Sequence, residues 1–174
     1  QPSCCPFCKQ KPIDRSMIKP PSIAQIKGEL TNLSREELAQ AVLRLAKFQK
    51  VNKELLGYVL FDASDEQAYI EELKSSISIS FEEINTLSVF FVKKAVRKIL
   101  RETNKFIRYS GDKETEVQVL LHFCRCLQAL DFQWKRSQII VNMYNSAIKK
   151  IEKALAKLHE DLQYDYQQEL ARLI

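Results

Sequence analysis

The residues best suited to chemistry by type and spacing are the cysteines near the start of the chain. Cys5 and Cys8 are separated by two residues and preceded by Cys4. A pair with this spacing can bind zinc, but a zinc site takes four ligands and usually two such pairs. A thioredoxin-type redox site needs the pair at the opening of a helix in a βαβ unit, a context that this sequence lacks. We therefore expect no metal and no cofactor, and Cys5 and Cys8 are candidates only for a zinc shared with a second chain or with a distant ligand.

The other two cysteines and the two histidines form no catalytic pattern. Cys124 and Cys126 are two positions apart, so on a helix their side chains point about 160° away from each other and cannot bind one ion together. Cys124 falls on an apolar helical face, where cysteine is usually a small buried residue. We expect a packed or half-exposed imidazole at His122 and a solvated one at His159. No metalloprotease, serine-hydrolase, phosphate-loop or dinucleotide motif occurs, which predicts a protein that is not an enzyme and has no small-molecule substrate.

The elements that position these residues are predicted to be helices, because glycine and proline are scarce across most of the sequence. The 174 residues include 3 Gly and 5 Pro, and positions 29 to 110 contain a single glycine, Gly57, and no proline. Sheet-rich domains need such residues at the turns between strands. The same range is rich in Leu, Ala, Glu, Lys, Arg and Gln, which lose little conformational freedom in a helix. The composition predicts an all-α fold.

The first 21 residues differ in composition from the rest of the chain. They contain all five prolines and three of the five cysteines, and proline lacks a backbone N–H and favours extended geometry. We predict a flexible tail over 1–21 and a single all-α domain over 22–174, a length that one core can serve. Cysteines without a secretory leader favour the cytoplasm, and no run approaches the ~20 apolar residues of a membrane-spanning helix.

Apolar residues that recur every three or four positions define six helical segments after the tail. The first three begin near Ser22, Ser34 and Ser64, and the second and third starts have the spacing of a capping box, with Glu or Gln three residues after the serine. The second segment is expected to reach about Phe61 after a bend near Gln49. The first half of the chain is therefore predicted to form short helices that begin at polar residues.

The next segments are separated by a stretch of ambiguous periodicity. Residues 76–81 alternate like a strand, but a lone strand has no partner, so we expect a helix end or an extended connector there. A fourth helix is predicted over 86–109, ended by Gly111 in a left-handed cap, and a fifth opens at Asp112. The predicted core face of the fifth helix is Val117, Leu120, Leu121, Cys124 and Leu127.

The predicted helices follow one another with short connections, which favour antiparallel packing of neighbouring helices. We predict five to seven antiparallel helices in an irregular bundle or a short HEAT-like stack of helix pairs, without a repeat of fixed period. On this pattern alone, residues 22–174 resemble small bacterial all-α proteins of uncharacterised function, of the helical-bundle or HEAT-like repeat type. The resemblance implies a helical architecture and no particular chemistry.

Charge is segregated along the chain. Residues 63–85 carry six acidic side chains and one lysine, whereas residues 86–111 carry seven basic side chains and one glutamate. At about 100° per residue, five of these cations share an arc of about 80° on one helix face, which we call the basic ridge. The basic ridge consists of Lys94, Lys98, Arg101, Lys105 and Arg108. It is either a solvated face, partly neutralised by the acidic segment, or a surface for nucleic acid or an acidic protein.

Phe90 and Phe91 flank the basic ridge near the start of the same predicted helix. We expect neighbouring helices to bury both rings. If the rings are exposed instead, they mark a contact site, because monomers seldom leave such clusters in water. Exposed rings could also stack on nucleic-acid bases.

The sixth predicted helix, residues 137–174 with a break near 159–162, carries an apolar stripe with alternating spacings of four and three. The stripe consists of Ile140, Tyr144, Ala147, Ile151, Ala154 and Leu158. An apolar line continues through Leu162, Tyr166, Leu170 and Leu173, and if this last piece does not fold back it is a candidate for self-association or for binding in a groove. We expect Trp134 to fill the junction between the fifth and sixth helices.

These features predict a cytoplasmic, non-enzymatic interaction or scaffold domain that binds another protein, or a second copy of itself, through helical surfaces. The alternative is a nucleic-acid-associated module that uses the basic ridge of the helix around 86–109. No membrane association is expected.

Overall fold

The structure, a computed structural model, describes residues 20–173, and every regular element in that range is helical. Its α-helices are α1 (Ile23–Leu30), α2 (Arg35–Phe48), α3 (Lys50–Gly57), α4 (Glu66–Glu82), α5 (Val89–Ser110), α6 (Lys113–Ala129), α7 (Gln138–Leu155) and α8 (Glu160–Ala171). A π-helical turn spans Tyr58–Asp62 and a 3₁₀ turn spans Trp134–Arg136. The all-α class is confirmed, and the eight α-helices of the described range exceed the five to seven that were predicted.

The additional helices come from two breaks that the sequence anticipates. Gln49 adopts an extended conformation, φ −142° and ψ 143°, and separates α2 from α3 at the predicted bend. His159 is also extended, with ψ 149°, and its side chain accepts a hydrogen bond from the backbone N–H of Asp161 at the start of α8. The break predicted near 159–162 is therefore present.

Side-chain caps set several helix starts. Ser22 and Gln25 form a capping box at α1, and Ser34 and Glu37 do so at α2, with hydrogen bonds of 2.9 and 3.2 Å. At α4 the cap is Asp65, whose carboxylate accepts from the N–H of Ala68 at 3.0 Å. The predicted start at Ser64 is thus displaced by one residue, because a carboxylate occupies the capping position.

The stretch 76–81 forms the last turns of α4, which agrees with the predicted helix end and contradicts the alternative of an extended connector. Ile77 and Phe81 lie four residues apart and are both buried, whereas Ile79 between them is exposed. This is the spacing of one helix face, and the alternation with serine conceals it. The Ser80 hydroxyl donates to the carbonyl oxygen of Ser76 at 2.8 Å, within the same helix.

The described chain divides into two compact units, with the division after Leu45, inside α2. In the first unit, α1 has no buried residue. The second unit contains the core, with α6 at its centre between α4, α5, α7 and α8. The predicted core face of α6 is confirmed, since all five of its residues are at most 1% exposed.

The C-terminal segment folds back onto the second unit. Leu170 and Leu173 are buried, and the Tyr144 hydroxyl donates to the carbonyl oxygen of Leu173 at 2.7 Å. Trp134 is buried, with its ring centroid 5.1 Å from that of Tyr144, which agrees with the predicted junction. This segment is therefore covered and does not provide the free surface considered above.

Between residues 20 and 173, no helix is long and apolar enough to cross a lipid bilayer.

Candidate interaction surface

Helix α5 places the predicted site residues on one rigid element of 22 residues. The Ser88 hydroxyl accepts from the N–H of Phe90 at its start, and Gly111, at φ 71°, closes its end by donating its N–H to the carbonyl of Ile107. Only glycine adopts this left-handed conformation without strain. The buried side of α5 consists of Val92, Val96, Ile99, Thr103 and Ile107.

Four members of the basic ridge lie on the opposite, solvent-facing side of α5. Lys94, Lys98, Arg101 and Arg108 are exposed. Within residues 20–173, no carboxylate lies at ion-pairing distance, 4.0 Å or less, from any of these four cations. From Lys94 to Arg108 the row is about 21 Å long, at 1.5 Å per helical residue.

Lys105, the fifth predicted member, is not part of the free row. Its ammonium group lies 2.7 Å from the Glu54 carboxylate of α3 and 4.5 Å from the centre of the Phe106 ring. The Tyr109 hydroxyl donates to the same carboxylate at 2.9 Å. The hydrogen bond from Lys105 lowers the pKa of Glu54 against the opposing effect of burial. Lys105 thus connects two helices, and the basic ridge is corrected to four residues.

The acidic segment that precedes α5 forms ion pairs and hydrogen bonds elsewhere. Glu71 pairs with Lys74 at 2.8 Å, and Glu66 accepts hydrogen bonds from Tyr58, Ser110 and Thr115. Among the ion pairs of the described residues, none joins residues 63–85 to the basic ridge. Among the described residues, the ridge cations therefore have no direct ion-pair partner in the acidic segment.

Phe90 and Phe91 are exposed, so the expectation that neighbouring helices bury them was wrong. Phe90 is 63% exposed and Phe91 is 51% exposed, and the two rings contact each other edge to face at 5.8 Å. Leu87 and Val89 are also exposed, Leu87 to 91%. The four side chains form an apolar patch at the start of α5, directly before the first ridge lysine.

Two grooves border the apolar patch. A groove of about 320 Å³ is lined by Phe91, Lys94 and Lys98 together with Glu83 and Glu102, among other residues of α4 and α5. A second groove, of about 690 Å³, is lined by Val89 and by the segment that connects α6 to α7. The start of α5 therefore combines exposed rings, concave surface and unpaired positive charge.

A second cluster was not recognised in the sequence. The Ser78 hydroxyl oxygen of α4 lies 2.8 Å from Nε2 of His122, and the Cys126 sulfur lies 3.4 Å from the same nitrogen. The spacing of four residues between His122 and Cys126, one helical turn, was the available signal. Ser78 gave no such signal, because it lies 44 residues from His122 in the chain.

The sequence also did not predict how much apolar surface α3 and the π-helical turn expose. Val51, Leu55, Val59, Leu60 and Phe61 are all at least 40% exposed. The sequence shows that these residues are apolar and regularly spaced, but it does not show whether another helix covers them.

The cysteine pair considered for zinc, Cys5 and Cys8, lies outside the described residues. Within residues 20–173, no group of three or more His, Cys, Asp or Glu side chains is arranged to hold a metal ion.

Comparison of the chain with protein-family models, with curated proteins and with solved structures finds no significant match.

Proposed function

We propose that the protein is a non-enzymatic interaction domain that binds an acidic amphipathic segment of a partner protein at the start of α5. The observation that carries the proposal is the exposure of Phe90 and Phe91 beside cations without an ion-pair partner among residues 20–173. Exposed aromatic clusters are typical of binding sites, where they act as anchors. Unpaired cations next to such anchors add charge complementarity for carboxylates.

The spacing of the ridge suits a helical partner. Lys94, Lys98 and Arg101 lie on successive turns of α5, so they can pair with acidic residues that are also spaced by three or four. The groove beside Phe91 offers room of about 320 Å³ for an apolar side chain of the partner. These features support the helix-in-groove mode of recognition, in which apolar anchors and flanking charges both contribute to binding.

Single-stranded nucleic acid is the second candidate ligand. Exposed aromatic rings can stack on bases, and a row of cations about 21 Å long can follow phosphates. Glu83 and Glu102 line the groove together with Lys94 and Lys98, and their carboxylates would repel phosphates and acidic side chains alike. We place the protein segment first because the exposed side chains also include the aliphatic Leu87 and Val89, which pack against apolar side chains and do not stack on bases.

Fluorescence anisotropy with the full-length protein tests the proposal. One probe is a labelled peptide of about 20 residues with Leu and Phe on one helical face and Glu on the other, and the second is an oligothymidylate of about 20 nucleotides. We expect the peptide to bind and the double variant K98E/R101E to abolish binding. The matched control K153E/K157E, which makes the same charge change at exposed positions in and just after α7, should leave binding unchanged.

The aromatic patch is tested separately with Phe90→Ser. We expect this variant to weaken peptide binding by about 10-fold, equivalent to about 1.4 kcal/mol, at every salt concentration. Oligothymidylate binding that falls steeply with salt, without peptide binding, would favour the second candidate. If neither probe binds, the proposed function is wrong.

A further inference from the structure

The cluster between α4 and α6 places a thiol and a hydroxyl against one imidazole nitrogen. Nε2 of His122 lies 2.8 Å from the Ser78 oxygen and 3.4 Å from the Cys126 sulfur, and oxygen and sulfur are 3.8 Å apart. All three side chains are half-buried, so the cluster is neither fully enclosed nor fully solvated. This is the geometry of a nucleophile next to its base.

The surroundings of the imidazole favour its neutral form. Burial, and then the positive charges of Lys74 and Arg125, lower the pKa of His122, so the ring is neutral near pH 7. Nε2 faces both Ser78 and Cys126. In the tautomer that carries its proton on Nδ1, the lone pair of Nε2 can accept a proton from either group.

We propose that Cys126 is a thiol oxidation site for hydrogen peroxide, with His122 as the base that removes the thiol proton. The proton passes from Sγ to Nε2, and the sulfur attacks one peroxide oxygen as the O–O bond breaks. The departing hydroxide takes the proton back from Nε2 and leaves as water. Sulfur is oxidised to sulfenic acid and peroxide is reduced to water, so that one thiol and one peroxide give one sulfenic acid and one water. The proposal is independent of the basic ridge.

Cys124 provides an internal comparison within the same helix. It is fully buried, burial raises the pKa of its thiol to about 12, and no hydrogen bond to a base is found for it among the described residues. Burial also raises the pKa of the Cys126 thiol, against a lowering by the Ser78 hydrogen bond, so Cys126 needs the base in order to react near neutral pH. Arg125 lies between the two cysteines, so trypsin places them in separate peptides.

The test is peroxide treatment of the native full-length protein in the presence of dimedone, which traps sulfenic acid, followed by quantification of each tryptic peptide by mass spectrometry. We expect the Cys126 adduct to form about 10-fold or more faster than the Cys124 adduct. His122→Gln should slow the Cys126 reaction by about 10-fold or more, because a positioned base usually contributes ~10²–10⁴-fold. The control His159→Gln changes the solvent-exposed histidine and should have no effect. Equal rates at the two cysteines, or an unchanged rate in His122→Gln, would overturn the proposal.

The pH dependence in the native protein decides the question even if His122→Gln does not fold. Protonated His122 has no lone pair for the thiol proton, so the rate should rise as the pH increases through the lowered pKa of His122 and then level off. For a thiol that reacts only as the free thiolate, the logarithm of the rate would instead rise by one for each pH unit, up to the raised pKa of that thiol. The charged groups around the cluster are Lys74, Glu71 and Glu82 of α4 and Arg125 of α6, the last paired with Glu169 of α8. A unit slope through pH 8 would refute the role of His122.

Discussion

The Lys105 ammonium and the Glu54 carboxylate are 2.7 Å apart and join α5 to α3, although 51 residues separate them in the chain. Both side chains are about three-quarters shielded from solvent. The Tyr109 hydroxyl also donates to Glu54, so the carboxylate has two donors from α5. This ion pair removes Lys105 from the row of free cations that the sequence predicts and connects the short helix α3 to α5.

Breaking this contact should lower stability. We expect Glu54→Gln and Lys105→Met each to reduce the free energy of unfolding by about 1 kcal/mol, the upper range for a partly shielded ion pair, and the double variant to lose less than the sum. Lys98→Met, at an exposed cation without an ion-pair partner in residues 20–173, is the control and should change stability little. Urea denaturation measures the four variants and the native protein, and strict additivity would argue against the pair.

Glu66 should make stability depend on pH. Burial acts to raise its pKa, but the hydrogen bonds from Ser110, Thr115 and Tyr58 outweigh burial and lower it. Because the folded-state pKa is depressed, the stabilisation is fully present above the ordinary glutamate pKa of about 4.3 and is lost as the pH falls through the lowered value.

We therefore expect Glu66→Gln to cost about 1–2 kcal/mol at pH 7, with a difference from the native protein that shrinks below the ordinary glutamate pKa. Denaturation at a series of pH values measures this difference. A difference that stayed constant into strong acid would mean that the carboxylate charge is not involved.

Two buried threonines should respond in opposite ways to replacement by valine. The Thr103 hydroxyl is buried and has no hydrogen-bond partner in the described structure, so Thr103→Val should be neutral or stabilise the fold by up to about 1 kcal/mol. The Thr115 hydroxyl donates to Glu66 at 2.5 Å, so Thr115→Val should cost about 1–3 kcal/mol. Thermal denaturation of both variants tests the contrast, and similar losses in the two would contradict it.

Two glycines form a similar matched pair. Gly111 has φ 71°, so Gly111→Ala should cost about 1 kcal/mol through left-handed strain, even though the added carbon meets no atom. Gly57 lies at the end of α3 with helical angles and open space around its Cα, so Gly57→Ala should stabilise by about 0.5–1 kcal/mol. Calorimetry distinguishes the two, and a stabilising Gly111→Ala would rule out the proposed cap.

The features that the sequence alone determined are those controlled by neighbours within one or two helical turns. The all-α class follows from glycine and proline scarcity, and the capping box at Ser34 and the break at Gln49 follow from local residue types. The core face of α6 followed from its periodicity. Where local signals conflicted, as in the alternating stretch 76–81, the sequence left both a helix end and an extended connector open, because serines occupy the positions between Ile77, Ile79 and Phe81.

The features that only the tertiary structure decided depend on which helix covers which face. A helical wheel places Phe90, Phe91 and Lys105 on the same side of α5, but it does not show that the rings stay exposed while Glu54 pairs with the lysine. It also cannot bring Ser78 to His122 across 44 residues. Periodicity tells which side chains avoid water, whereas the packing of distant helices determines which of them are covered and which charges find partners.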